Sequence, residues 1–356
     1  MINAISLFSG AGGMDVGFKR ARVNVVLANE IDKTAANTFT TNHPGVKMLV
    51  GDINDYYCEF KKCQNIDLVF GGPPCQGFSV IGKMNPDDER SQLIWSFLKV
   101  VEIVRPRAFV MENVKSLATI NKWKDVRNAY IARAAELGYG CIPFVINAAE
   151  YGVSQKRERV FFIGIKNDRY FEKAIWNNLF SQRRKPPTVR ELFSDLGPAG
   201  TERNPLTCNA KITFAVKPVM RRIPYDCLMF NGIGRPIDPD GYSRTITASM
   251  GGNMTLIVDE VFLHDSTADN WIQEYYDKLV SHEIIPEFKE APSRLRRLTI
   301  NEARRLQTFP DDYVFCGAKT SVYKQIGNAV PCEMAKAVAT AVVKYITNKP
   351  SASTAV

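Results

Sequence analysis

One cysteine of this 356-residue chain stands in an unusually constrained setting. Cys75 lies in Gly71-Gly72-Pro73-Pro74-Cys75-Gln76-Gly77-Phe78-Ser79, directly after the apolar run Ile66 to Phe70. That run reads as a buried strand. The Pro-Pro pair fixes φ twice and offers no N–H, so the strand must end there. The thiol is thereby presented on a stiff loop at a strand's carboxyl end, where open α/β sheets place their chemistry, and a positioned thiol is a candidate nucleophile. Two further segments carry reactive side chains. Glu112-Asn113-Val114 follows the strand Ala108 to Met111, and Gln155-Lys156-Arg157-Glu158-Arg159 precedes the strand Val160 to Ile165. Strand alternation puts Gln155, Arg157 and Arg159 on one face.

Together these groups suit one reaction. Carbon 5 of cytosine is a poor nucleophile, but a thiolate adding at C6 breaks the aromaticity and leaves an enamine at C5 that can take a methyl group from a sulfonium donor. Cys75 would supply the thiolate, with its proton affinity lowered or a proton acceptor at hand. Glu112 would hold N3 and the 4-amino group, which requires burial to raise its own proton affinity. An arginine near O2 would stabilise the charge that develops on addition. C6 is unreachable inside a duplex, so the target base must be flipped out. The reaction needs no metal, and no metal site is expected.

The donor pocket is expected at earlier strand ends. Phe8-Ser9-Gly10-Ala11-Gly12-Gly13 lies between a strand and a helix, where glycines let the backbone approach a ligand. A dinucleotide fingerprint begun at Gly10 would need glycine at position 15, and Asp15 stands there. Glu30, closing a second strand, can accept two ribose hydroxyls. Asp52, after a third, can accept from the adenine amine. Two acids and a glycine turn suit an adenosine without phosphates, and S-adenosylmethionine, leaving as S-adenosylhomocysteine, fits.

The elements that must position these groups alternate. Strands are expected at Ala4 to Phe8, Val23 to Ala28, Lys47 to Val50, Ile66 to Phe70, Ala108 to Met111, Cys141 to Ile146 and Val160 to Ile165. Helices are expected at Ser91 to Val104 and Asp125 to Leu137. This predicts an α/β fold with a mostly parallel, Rossmann-like sheet. The alternation fails from Arg183 to Arg296, a stretch rich in Pro, Gly, Thr and Arg that reads as a small, irregular, β-rich region. Helical patterns resume at Leu298 to Leu306 and Ala335 to Ile346, the latter expected to pack back on the first domain. Ser351 to Val356 reads as a loose tail.

A net charge of +9 favours an anionic partner, nucleic acid foremost. The eight cysteines show no CxxC spacing, and only three histidines occur, which leaves no zinc pattern. The cysteines read as reduced residues. Neither a signal peptide nor an apolar run of spanning length is present, so a cytoplasmic protein without a membrane partner is expected.

With these motifs in order, the chain resembles the DNA cytosine-5 methyltransferases of bacteria and phages over nearly its whole length. The resemblance rests on the segments above, on Gly51-Asp52-Ile53, on Arg297-Leu298-Thr299 with Glu302, and on Gln325-Ile326-Gly327-Asn328-Ala329-Val330-Pro331. It implies Cys75 as nucleophile, Glu112 as the partner of N3, and Arg157 and Arg159 as the pair framing O2 and the backbone. Cofactor contacts would come from Phe8, Ser9, Gly10, Gly12, Gly13, Glu30, Ile31, Asp52, Ile53, Pro74, Leu93, Asn328 and Ala329. Gly77 to Arg90 would be a loop closing over DNA, with Gln76, Ser79, Lys83 and Arg90 contacting it, as would Gln155. The catalytic domain would comprise 1–182 and 297–350, and 183–296 would recognise the target. The expected reader is Ser243 to Asn253, in which Arg244 reads guanine edges while Thr245, Thr247 and Asn253 contact bases or phosphates. Arg183-Arg184-Lys185, Arg221-Arg222 and Arg294-Arg296-Arg297 are candidate phosphate contacts. The expected partner is double-stranded DNA, met by a monomer at the prokaryotic or phage nucleoid; a cognate restriction endonuclease would act on the same site without being bound. Two alternatives remain. An RNA (tRNA) cytosine-5 methyltransferase would usually carry a Cys-Phe-Thr tripeptide in the variable region, which this chain lacks; a catalytically silent DNA-binding protein would not need Cys75, Glu112 and Arg159.

Overall fold

The computed structural model describes residues 1–74 and 92–348. Cys75, Gln76, Ser79, Lys83 and Arg90 lie outside the described residues, as does the expected tail. The strands are β1 Ile2–Leu7, β2 Val23–Glu30, β3 Lys47–Val50, β4 Leu68–Gly71, β5 Ala108–Val114, β6 Tyr139–Asn147, β7 Gln155–Lys156, β8 Glu158–Lys166, β9 Phe214–Val219, β10 Leu228–Phe230, β11 Ser243–Arg244, β12 Ile257–Asp259 and β13 Leu295–Arg297. The chain divides into two compact units. One comprises Met1–Tyr151, Arg157–Arg184 and Val330–Val356; the other comprises Gly152–Lys156 and Lys185–Ala329.

The first unit is built on a seven-stranded sheet in the order β3-β2-β1-β4-β5-β8-β6. Strands β1 to β5 pair in parallel, because helices carry the chain back between them. β8 runs antiparallel to both β5 and β6. Its link from β6 is a short irregular segment without a crossover helix, and such a link can only reverse the chain. The reversal matters for chemistry, since it sets the start of β8 against the end of β5, with Arg159 paired to Val114.

β4 and most of β5 are wholly buried, as strands covered on both faces must be. The helix Leu93–Val104 buries Ile94, Phe97, Leu98 and Val101 at helical spacing against Val69, Phe109 and Met111 of the sheet. The helix Cys332–Asn348 packs on the helix Gly13–Arg20, and Glu333 pairs with Arg20 at 2.7 Å.

In the second unit the strands form only two-stranded pieces, β9 with β10, β7 with β11, and β12 with β13. A ten-residue helix, Trp271–Val280, stands in the stretch read from sequence as irregular. Ile272, Tyr275 and Leu279 form its buried stripe, and the Asn270 side chain caps it by accepting from Gln273 N. Residues 297–329, expected with the catalytic part, pack in this unit. The cause is local: Thr299 and Glu302 form a capping box, Thr299 Oγ1 donates to Asn204 Oδ1 at 2.6 Å, and Asn204 Nδ2 donates to Glu302 at 3.1 Å.

Candidate active site

The carboxyl ends of β4 and β5 and the start of β8 assemble the reactive groups of the first unit. Glu112 is buried, and its Oε1 lies 2.9 Å from Arg159 Nε. Burial raises the proton affinity of Glu112, opposed by the charges of Arg159 and Arg157. Arg157 is itself buried, and its carbonyl accepts from Ala148 N. Gly72 lies directly above this acid: a Cβ there would sit 3.0 Å from Glu112 Oε2, a contact tight enough that the carboxylate or the loop would have to shift. The neighbouring Asn113 donates from Nδ2 to the Pro73 carbonyl at 3.2 Å. The Gly-Pro-Pro segment leading into Cys75 is thus fastened to the end of β5. A buried acid with raised proton affinity, backed by an arginine, can meet a ring that offers a nitrogen and an amine side by side.

The second cluster lies at the ends of β1, β2 and β3. Phe8 leaves β1 with φ 53, Ser9 N donates to Asn29 O at 3.0 Å, and Gly12, with φ 86, caps the helix Gly13–Arg20 in the left-handed region that glycine tolerates. Glu30 closes β2. Its Oε2 accepts from Gly10 N at 2.7 Å and its Oε1 from Asp32 N at 2.8 Å, the Ile31 backbone adds a weaker contact, and the carboxylate keeps acceptor capacity beyond these. Burial raises its proton affinity too. Asp52 uses only Oδ1 locally, accepting from Asn54 N and Nδ2, both at 2.8 Å. Ile31 is 64% exposed, Ile53 is buried, and Pro74 and Leu93 are half-buried. Space is open over Gly10. A carboxylate with unused acceptors, an exposed apolar side chain and a free acid oxygen fit the ribose, flat base and exocyclic amine of an adenosine. Asn328 and Ala329 close the helix Lys319–Asn328 in the second unit, where Gln307 Nε2 donates to Ala329 O at 2.8 Å.

The expected DNA contacts in the second unit divide. Gln155 is corrected: it is fully buried, its Nε2 donates to Leu306 O and Gln307 Oε1, each at 3.2 Å, and its Oε1 accepts from Ile246 N at 3.1 Å. An amide so engaged clamps the second unit together and is not presented to DNA. Arg296 and Arg297 are corrected likewise. Arg296 pairs with Glu302 at 2.6 Å and with Glu260, while Arg297 is buried and donates to Thr255 O and Asn231 Oδ1 at 2.8 Å. Arg294 is engaged by Asp259 and Asp269. In the first unit Arg183 pairs with Glu150 and Arg184 with Glu333. Arg244 is exposed, and its Nη1 meets Asp226 Oδ1 at 3.0 Å. Thr245 Oγ1 donates to Lys156 O at 2.8 Å, Thr247 shares a hydrogen bond with Ser249, and Asn253 is exposed.

The family model for C-5 cytosine-specific DNA methylases matches residues 2–344. The chain belongs to this family. It is 31% identical to the type II methyltransferase M1.HphI of Haemophilus parahaemolyticus over 97% of this chain and 87% of that protein. It is 32% identical to M.NgoFVII of Neisseria gonorrhoeae over 94% of this chain and 85% of that protein. In fold it is similar to a crystal structure described as a DNA modification methyltransferase encoded within an E. coli prophage, with a TM-score of 0.67, 23% identity and coverage of 98% of this chain and 100% of that one. The protein is therefore a DNA cytosine methyltransferase with the family's Rossmann-like α/β fold.

Two residues of this family member hold the candidate site without having drawn a role from sequence. Asn113 ties β5 to the Pro-Pro loop, and Gly72 admits Glu112 beneath it. Both stand in segments that the sequence marks, and a parallel sheet is expected to set those two strand ends side by side, as β4 and β5 are; the sequence does not display which side chains make the contact.

Proposed function

We propose that this methyltransferase moves a methyl group from S-adenosylmethionine to carbon 5 of a flipped-out cytosine within a short, specific duplex DNA sequence. The observation that carries the proposal is the buried Glu112, paired with Arg159 at 2.9 Å directly beneath Gly72, three residues before Cys75. Cys75 forms a bond to C6 as thiolate. Glu112 holds N3 and the 4-amino group, and its raised proton affinity lets it share a proton with N3 as electrons move into the ring. Arg159, with Arg157 behind it, orients Glu112 and stabilises charge at O2. Bound S-adenosylmethionine supplies an electrophilic methyl group. After transfer the proton on C5 is lost to base and the Cys75–C6 bond breaks, which restores the ring and the thiolate. Glu30 receives the ribose hydroxyls, Asp52 the adenine amine, and Ile31 and Phe8 flank the base.

The second unit selects the sequence, and the net charge of +9 supplies phosphate attraction. The type II relatives support a place beside a restriction endonuclease cutting the same unmodified sequence. DNA carrying 5-fluorocytosine at the target tests the mechanism, because fluorine at C5 cannot leave as a proton does. A stable adduct that maps to Cys75 and disappears in Cys75→Ala is expected. Loss of methylation without any adduct on fluorinated DNA would refute the covalent step.

A further inference from the structure

In the second unit three arginines gather round one acid. Arg244 Nη1 meets Asp226 Oδ1 at 3.0 Å, and Arg235 Nε donates to the Asp226 carbonyl at 3.0 Å. Arg221 adjoins them through the turn between β9 and β10. Its N–H donates to Cys227 Sγ at 3.1 Å, and Tyr276 O–H donates to its carbonyl at 2.9 Å. Pro224 opens the short helical turn Pro224–Asp226, so the backbone that carries the acid is stiff. The side chains of Arg244 and Asp226 are 43% and 41% exposed. The cluster is overcharged. Burial, with the charges of Arg244 and Arg221, lowers the proton affinity of Arg235, and Asp226 only partly offsets this. Among the described residues no partner takes the terminal nitrogens of Arg235.

Two kinds of DNA contact could relieve this. A phosphate clamp uses cations alone, and an acid at its centre repels the backbone. A base reader gains from the acid. The arginine forks match guanine O6 and N7, and a carboxylate accepts from the 4-amino group of the paired cytosine. Arginines held at one nitrogen also lose less freedom on docking. We propose that Asp226, Arg235 and Arg244 read a guanine–cytosine pair in the major groove and thereby set one position of the target sequence. The inference rests on the DNA-methylating function proposed above.

The test is to map the methylated sequence for wild type, Arg244→Gln, Arg235→Gln and Asp226→Asn, with binding measured against salt. Wild-type methylation of a defined sequence establishes the parent function first, so its failure is seen separately. Each variant is expected to lose discrimination at one G·C position, by roughly tenfold or more, with the other positions kept. The salt slope of Arg244→Gln should match wild type. A phosphate clamp gives the opposite pattern: an unchanged sequence, a slope lower by about 1 in Arg244→Gln, and tighter binding to all DNA in Asp226→Asn. That pattern, or unchanged discrimination in both arginine variants, overturns the proposal. Asp226→Asn guards against misfolding, since it alters one exposed carboxylate, and a wild-type melting temperature must accompany its loss of discrimination.

Discussion

Glu112→Gln separates the chemistry of the pocket from its shape. Glutamine keeps the volume and one acceptor but can neither carry the negative charge facing Arg159 at 2.9 Å nor share a proton with N3. Removing one charge from a buried pair typically costs about 3–5 kcal/mol of stability. Here the lower end applies, because the side chain of Arg159 is 17% exposed and can turn to water. For the reaction, a lost general acid is worth roughly 10²–10⁴ in rate. Taken with a charge-assisted hydrogen bond of about 3 kcal/mol, this predicts a fall in kcat of roughly 10² or more. Single-turnover transfer of radiolabelled methyl groups to DNA measures it. Calorimetry should show cofactor affinity unchanged, since Glu30 and Asp52 stand on other strands. The pH dependence has a definite sign. Burial raises the proton affinity of Glu112, so its acid form survives to higher pH than in an ordinary carboxyl, and activity should fall as pH rises through that value. The glutamine variant should lack that limb. A variant turning over within a few-fold of wild type would refute the role of Glu112.

Asp15 is fully buried, and burial pushes its carboxyl from 3.8 up to about 7. The folded chain therefore holds this proton where the unfolded chain has lost it, and stability drains away as pH rises from about 4 to about 7, by roughly 4 kcal/mol in all. Asp15→Asn should raise the melting temperature clearly more at pH 8 than at pH 5; an equal shift at both would contradict the burial argument. Gly72→Ala places a Cβ 3.0 Å from Glu112 Oε2 and should cut kcat about tenfold or more with cofactor affinity intact; a normal kcat would show that the loop yields freely. Glu30→Gln should weaken S-adenosylmethionine binding by about tenfold in calorimetry, through loss of a charged acceptor, and unchanged affinity would remove the ribose assignment. Thr299→Ala removes the cap of the helix Ile300–Leu306 and should cost about 1 kcal/mol in denaturant unfolding without altering the methylated sequence.

The local half of the site was legible, and of the long-range half the return of the last helix to the first unit and the nearness of the β5 end to the Pro-Pro loop were legible too, while the side-chain partners were not. Buried runs, Gly-Pro-Pro punctuation and acids at strand ends reveal themselves at short range, which is why Glu30, Asp52 and Glu112 could be singled out. That Glu112 meets Arg159 depends on β8 running antiparallel, a consequence of the short link after β6 that apolar pattern alone does not express. Gln155 shows the limit of alternation. Its spacing matches Arg157 and Arg159, yet β7 pairs with β11, and the amide is consumed within the second unit. Arg296 and Arg297 look like surface cations in a basic run, but their partners Glu260, Asn231 and Thr255 are far off in sequence, and no pattern pairs Arg296 with the nearby Glu302. The helix Trp271–Val280 could have been found from Ile272, Tyr275 and Leu279 with the Asn270 cap; the Pro- and Gly-rich surroundings obscured it.

Bisulfite sequencing of DNA incubated with the protein and S-adenosylmethionine, with Cys75→Ala alongside, bears on the proposed reaction most directly. Cytosines protected in one short sequence context by the wild type, and none by the variant, are expected. Absence of protection while the cofactor demonstrably binds, or protection that survives in Cys75→Ala, would contradict methyl transfer through the thiolate.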